Sequence, residues 1–159
     1  MRYVSTRGSA PVLGFGDTLL AGLADDGGLY VPESWPLLAD GGQGDYVETA
    51  VEVMAPFVAG SIHEDDFASM VSEAYAAFDV PDVTPLVELS DGIHLMELFH
   101  GPTLAFKDFA MQLIGQMMQA VLARSGARIT IVGATSGDTG SAAMEAFRGL
   151  ANVDLFILY

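Results

Sequence analysis

Lys107 is the only lysine in this chain of 159 residues, and it lies in the stretch HGPTLAFKDFA, residues 100–110. All other cationic side chains are arginines. A primary amine differs from a guanidinium because burial favours its neutral form, which can attack a carbonyl carbon. Phe106 beside it and the apolar residues of the stretch favour that form. Lys107 is therefore our candidate catalytic residue, of the kind that forms Schiff bases.

The second candidate is the stretch GATSGDTGSA, residues 133–142. Its three glycines allow a tight turn and leave backbone amides accessible to an anion. Hydroxyl groups in this segment come from Thr135, Ser136, Thr139 and Ser141. Asp138 opposes a phosphate and favours a carboxylate or a polar ring substituent. The spacing fits neither a dinucleotide fingerprint nor a P-loop, so a purely structural turn at the start of a helix stays open as the alternative.

Other reactive side chains give weaker signals. The absence of cysteine excludes disulfides, thiolate nucleophiles and zinc–thiolate sites. We predict no metal site, because His63, His94 and His100 lack the spacing of metal ligands. His100 opens the lysine turn, so a place in a pocket and a structural role are both open for it. Ser136 lacks the G-x-S-x-G context of a hydrolase nucleophile.

Composition excludes several classes of protein. The net charge is −15, from 21 acidic and 6 basic residues, and the scattered arginines form no basic stripe for nucleic acid. The longest uncharged apolar segment, residues 109–123, is too short to span a membrane. The amino terminus has no signal-peptide pattern, so we expect a cytoplasmic protein.

Residues 1–82 are predicted to form a small, mostly helical subdomain. A short strand is expected at Arg2 to Ser5 and a helix at about Asp17 to Ala24, followed by an irregular loop over residues 24–36. Two amphipathic patterns, residues 46–57 and 67–78, predict two helices.

Residues 83–159 are predicted to begin an α/β domain with a parallel sheet. Strands are expected at residues 92–99, 127–133 and 153–159, and helices at 108–124 and 141–148. Asp108, at the start of the first helix, is expected to complement the helix dipole. Because the lysine turn and the glycine loop would follow consecutive parallel strands, we expect them to face one crevice. The final apolar strand lacks a second neighbour, so we expect an incomplete sheet, the front part of a longer protein.

Four segments together resemble the threonine synthase family: RYVSTRG, GLADDGGLYVPESWP, HGPTLAFKDFA and GATSGDTGSAA. The resemblance covers essentially the whole chain, in the family's order. It implies an α/β fold of the tryptophan-synthase-β type, a three-layer fold of pyridoxal-phosphate enzymes. It also implies that only the amino-terminal part of such an enzyme is present.

The resemblance assigns roles to the candidate residues. Lys107 would bind the aldehyde of pyridoxal 5'-phosphate and later move protons on the substrate, with Phe106 and Asp138 also at the cofactor. The substrate carboxylate would be held by the segment Thr135, Ser136, Gly137, Asp138 and Thr139. The implied reaction converts O-phospho-L-homoserine and water to L-threonine and phosphate.

The same resemblance implies a gap and leaves alternatives. The family's cup for the cofactor phosphate and its partner for the pyridine nitrogen lie in sequence that is not present here, so we expect the chain alone to be inactive. Another pyridoxal-phosphate lyase of the same fold and a noncatalytic anion-binding module remain open. The sequence does not predict an oligomeric state.

Overall fold

The computed structural model describes residues 1–38, 44–135 and 137–159. The chain divides into two compact units, Met1–Ser69 and Met70–Tyr159. The predicted domain boundary at residues 82/83 stays a prediction. The elements in chain order are β1 (Arg2–Ser5), β2 (Leu13–Gly14), α1 (Phe15–Ala21), β3 (Tyr30–Pro32), α2 (Tyr46–Val58), α3 (Glu64–Tyr75), β4 (Leu86–Ser90), β5 (Ile93–Met96), α4 (Asp108–Ser125), β6 (Ile129–Ala134), α5 (Asp138–Phe147) and β7 (Val153–Leu158).

The first unit contains a three-stranded antiparallel sheet in the order β2-β1-β3. The predicted strand β1 is confirmed. The prediction of an irregular loop over residues 24–36 is wrong for Tyr30–Pro32, which pairs with β1. Pro32 stands at the end of that strand, where its missing N–H is tolerated.

Helices pack on this sheet through Tyr3. Its ring lies 6.0 Å from that of Phe15 in α1, and its hydroxyl donates to the carbonyl of Phe57 in α2 at 2.8 Å. Helix α1 ends three residues before the predicted end, because Gly22 takes a positive φ of 66° and stops it. The predicted helix over residues 46–57 is confirmed as α2.

Asp26 ties together the loops at one end of the small sheet. Its carboxylate accepts hydrogen bonds from the hydroxyl of Ser5 at 2.7 Å and from the backbone N–H groups of Ser9, Ala10 and Gly28, each at 2.9 Å. These bonds, that of Ser5 foremost, outweigh the effect of desolvation and lower the pKa of the Asp26 carboxyl to about 2. A single carboxylate therefore satisfies donors from the end of β1 and from two loop segments.

The second unit begins with a hairpin that differs from the prediction. Strand β5 was expected to join a parallel sheet, and that expectation is wrong, because β5 pairs antiparallel with β4 in a two-stranded sheet of its own. The turn between them contains Asp91-Gly92, with Gly92 at a φ of 75°. Asp-Gly is a strong hairpin signal, since both residues tolerate a positive φ.

A parallel β-α-β arrangement follows. Helix α4 leads into β6, and β6 pairs in parallel with β7 from Ile129↔Val153 to Ala134↔Leu158. The predicted helix over residues 108–124 and these two strands are confirmed. One face of the two strands is half-buried, and the residues between are exposed. The pair is thus covered on one face only.

Helices α4 and α5 touch at Gly115. A Cβ atom at this buried position would stand 2.6 Å from the backbone oxygen of Ala146 in α5. Glycine is therefore required for the approach of the two helix backbones, although glycine lowers the helix propensity of α4.

No helix in the described part of the chain is long and apolar enough to cross a bilayer.

We predict that Asp26→Asn lowers the melting temperature by several degrees at pH 7, because the amide group would place N–H donors against N–H donors. Folding lowers the pKa of Asp26 from 3.8 to about 2. Its stabilising effect is therefore full above about pH 3.8 and is lost as the pH falls through about 2. The difference in melting temperature between wild type and variant should shrink across that range, followed by circular dichroism. Asp25→Asn, at the exposed neighbouring residue, is the control. A difference in melting temperature that does not change with pH would contradict the assignment of this stabilising effect to the ionised Asp26 carboxylate.

We predict that Gly115→Ala destabilises the protein by about 1–3 kcal/mol, the usual cost of overpacking. An alanine in a helix interior ordinarily stabilises it by about 0.5–1 kcal/mol, so the sign of the change distinguishes the steric contact from helix propensity. Urea unfolding measures it, with Gln119→Ala on the exposed side of α4 as control. A more stable Gly115→Ala variant would show that the helices are farther apart.

Candidate functional site

The lysine turn lies immediately before α4. Lys107 is the residue that precedes the helix, and its carbonyl accepts the N–H of Met111 at 3.0 Å. The Lys107 Nζ lies 4.2 Å from the centroid of the Phe106 ring, over its face. Phe106 itself is 59% exposed. Among the residues that the structure describes, no carboxylate lies within 4.0 Å of this amine. The amine is thus free of an ion pair in the described part of the chain.

Asp108 has the predicted position and makes contacts beyond those expected. It occupies the first turn of α4, but its side chain is fully buried and accepts from Thr103 and Ala105, which precede the helix. Its place in the first turn agrees with the predicted dipole role, and the buried hydrogen bonds add a second role that the prediction did not include. Sequence reasoning underrated this residue, and its signal was the carboxylate next to the only lysine.

His100 opens the turn and is paired. Its Nε2 lies 2.6 Å from Oε2 of Glu97, and both side chains are largely buried. The carbonyl of His100 accepts the N–H of Asp79 at 2.9 Å. These contacts fix the start of the turn and favour the structural role that was one of our two alternatives.

The glycine loop joins β6 to α5. Thr135 donates its N–H to the carbonyl of Leu158 at 3.1 Å, which extends the pairing of β6 with β7. A Cβ at buried Gly140 would meet Thr135 Cγ2 at 3.0 Å and Ile157 Cγ2 at 3.1 Å. Gly140 therefore allows α5 to start close against the strands. The predicted substrate-binding residue Ser136 lies outside the described residues.

Helix α5 begins three residues before the predicted start, at Asp138 instead of Ser141. Gly137 precedes the helix, and its carbonyl accepts the N–H groups of Gly140 and Ser141 at 3.0 and 3.3 Å. Asp138 is exposed and Thr139 is half-buried. The backbone N–H groups of these two residues belong to the first turn, where an α-helix has no internal acceptors for them. Two of the predicted binding residues are thus at a helix amino terminus and not in a loop.

The two candidate segments lie at the amino ends of two packed helices. Our prediction that both follow parallel strands is wrong for the lysine turn, because β5 is not part of the β6–β7 sheet. The directions of the two helices indicate instead where the candidate segments lie. Both α4 and α5 end shortly before a strand begins, and the first residues of those strands are paired with each other. Both helices therefore run towards the amino ends of the strands, and we infer that both candidate segments lie towards the opposite end.

Gln112 is a polar residue of α4 that the sequence reasoning missed. Its Nε2 atom is buried and has no hydrogen-bond partner among the described residues. Gln112 follows Asp108 by one helical turn, so the first two turns of α4 contain a satisfied carboxylate and an unsatisfied amide. The helix contains three glutamines, and the sequence does not indicate which of them is buried without a partner.

Comparison with protein families gives a match to the family model described as "Threonine synthase N terminus" over residues 2–75. Among curated relatives, threonine synthase of Pseudomonas aeruginosa is 55% identical over 100% of this chain and 35% of its own length. Threonine synthase of Saccharomyces cerevisiae is 40% identical over 99% of this chain and 34% of its own length. The chain therefore spans about a third of the length of these relatives.

Solved structures agree with these sequence matches. A threonine synthase from Brucella melitensis, solved with bound pyridoxal phosphate, is 57% identical and superposes with a TM-score of 0.93 over 99% of this chain and 35% of that one. The structure of threonine synthase from Escherichia coli gives a TM-score of 0.80 at 30% identity, over 100% of this chain and 37% of that one. The predicted α/β fold of the pyridoxal-phosphate enzyme type is confirmed. The chain belongs to the threonine synthase family and corresponds to the amino-terminal part of its longer members.

Proposed function

We propose that this chain is the lysine-bearing part of a pyridoxal-phosphate enzyme that converts O-phospho-L-homoserine and water to L-threonine and phosphate. The observation that carries the proposal is the amine of Lys107 at the amino end of α4, which has no ion pair in the described part of the chain. The chain is 57% identical to a threonine synthase with bound cofactor. The reaction is a carbon–oxygen lyase reaction of amino-acid biosynthesis.

The donor set fits the aldehyde end of the cofactor. An aldehyde needs a primary amine, and Lys107 has the only side chain in the chain that offers one. That amine has no ion pair in the described part of the chain and lies over an aromatic ring, so no carboxylate has to be displaced. When bound, pyridoxal phosphate supplies an electron sink for carbanions formed on an amino-acid substrate.

Lys107 would hold the cofactor through its Nζ and then accept and return protons at the substrate carbons with the same atom. An arginine cannot do this, because its guanidinium does not lose its proton in proteins. The exposed ring of Phe106 would provide an apolar surface at the cofactor. Asp138 would lie near the polar substituents of the cofactor ring.

The substrate carboxylate would be bound by the segment Thr135, Ser136, Gly137, Asp138 and Thr139. The support is the position of this segment at the start of α5, where backbone N–H groups and the positive end of the helix dipole favour an anion. Thr135 and Thr139 add hydroxyl donors. The carboxylate of Asp138 opposes binding of a phosphate there, which favours a singly charged carboxylate.

The partner is accordingly a small amino-acid phosphate, with neither nucleic acid nor a membrane in the proposed role. The net charge of −15 is consistent with the exclusion of nucleic acid. A cytoplasmic location is part of the same proposal.

We predict that borohydride reduction in the presence of pyridoxal phosphate labels Lys107 before the α-amine of Met1, the other type of primary amine in the chain. Peptide mapping by mass spectrometry gives the ratio of the two adducts. Lys107→Arg keeps the positive charge and should leave only the Met1 adduct.

If the ratio of Lys107 to Met1 adducts in the native protein is no higher than in urea, the proposal is overturned. A noncatalytic anion-binding module would behave in this way, because its lysine has no reason to react selectively.

We predict further that the 159-residue chain, incubated with pyridoxal phosphate and O-phospho-L-homoserine, releases no phosphate above the rate of a Lys107→Arg control. The family resemblance places the partners of the cofactor phosphate and of the pyridine nitrogen outside these residues, so binding should be weak. Phosphate release and threonine are measured together. Steady turnover by the chain alone would show that these residues suffice.

A further inference from the structure

The carboxylate of Asp108 is the only fully buried charged side chain among the described residues. Burial of a carboxylate is unfavourable unless hydrogen bonds replace its water. The three donors that replace it come from the turn before α4. Thr103 donates its N–H to Oδ2 at 2.9 Å and its hydroxyl to Oδ1 at 2.7 Å, and Ala105 donates its N–H to Oδ2 at 3.4 Å.

The backbone of the turn lies close against the side chain of Asp108. A Cβ atom on Gly101 would stand 2.6 Å from both Cβ and Oδ2 of Asp108, so the carboxylate fills the space over that glycine. Leu104 takes a φ of 61°, which is unusual for a residue with a branched side chain, and its side chain is 68% exposed. Leu104 thus gains little from burial, and its conformation must be imposed by the contacts around it.

The N–H of Leu104 donates to the carbonyl of Gly101 at 3.0 Å, and Asp108 adds contacts on both sides of Leu104. It binds the residue before Leu104 and the residue after it, while the N–H of Asp108 donates to the carbonyl of Ala105 at 3.0 Å. The bonds close a small ring from Thr103 to Asp108, and Lys107 is a member of that ring. The direction in which the Lys107 side chain leaves the backbone therefore depends on the Asp108 carboxylate.

We propose that Asp108 is a positioning residue for Lys107: its buried carboxylate holds the turn of residues 103–108 in the one conformation that presents the amine for reaction. The proposal rests on the proposed function of Lys107. It differs from a dipole role, which an exposed carboxylate such as Asp65 in the first turn of α3 fulfils without any tertiary hydrogen bond.

The test measures the ratio of Lys107 to Met1 adducts after borohydride reduction with pyridoxal phosphate, in native buffer and in urea. For Asp108→Asn we expect the native ratio to fall about tenfold, which corresponds to one lost hydrogen bond to a charged group. Thr103→Val removes the hydroxyl donor and should lower the ratio, whereas Thr103→Ser keeps the donor and should preserve it. Asp65→Asn removes a first-turn charge elsewhere and should leave the ratio unchanged.

Circular dichroism and urea unfolding show which variants keep the fold. If a folded Asp108→Asn variant retains the wild-type ratio, the positioning role is overturned and the role of Lys107 stands. If the ratio of Lys107 to Met1 adducts in native wild type is no higher than the same ratio in urea, the proposed function fails and this inference fails with it. Should Asp108→Asn not fold, the Thr103 pair decides: equal ratios for the serine and valine variants overturn the proposal.

Discussion

A carboxylate that is removed from water must accept hydrogen bonds from the protein, and in this chain that demand shapes the turn before α4. The donors nearest to Asp108 belong to the six residues that include the only lysine. The same hydrogen bonds therefore satisfy the carboxylate and hold the turn that contains the lysine. Glycine at position 101 is a consequence of this arrangement, because it leaves room for a side chain that points back over its own turn, and the left-handed Leu104 lies between the two residues that donate to the carboxylate.

The parts of the fold that sequence could predict are those set by local periodicity. The long uncharged apolar segment of α4 and the β-branched run of β6 predict these two elements nearly to the residue. Periodicity does not predict that β5 pairs with β4, because it says nothing about which strand lies alongside. The signal for this pairing is the Asp91-Gly92 turn, which is typical of a hairpin. The predicted start of α5 at Ser141 is too late, because Gly140 is typical of a loop in sequence but lies in the first turn of the helix.

For the candidate site, residue chemistry could be predicted and side-chain direction could not. A primary amine and a run of hydroxyls and glycines are properties of the residues themselves, so Lys107 and the segment 135–139 could be proposed as candidates from the sequence alone. The contacts of Asp108 occur together with the positive φ of Leu104, and in this conformation the carboxylate points back over the turn. A leucine carries no signal for a positive φ, so this conformation is visible only in three dimensions.

The parallel pair β6–β7 in the second unit has an open apolar face among the described residues. On the outer face of β6 and β7, the side chains of Val132, Phe156 and Leu158 are 59–66% exposed, and Val132 lies opposite Phe156 in the paired strands. Parallel strands are normally covered on both faces. Helix α5 covers the other face, where Ile157 fits between Gly133 and Gly140. The relatives have about two thirds of their length outside the matched region, which is ample chain for a second layer. The open apolar face of β6 and β7 is therefore the side of this strand pair against which a further layer would pack.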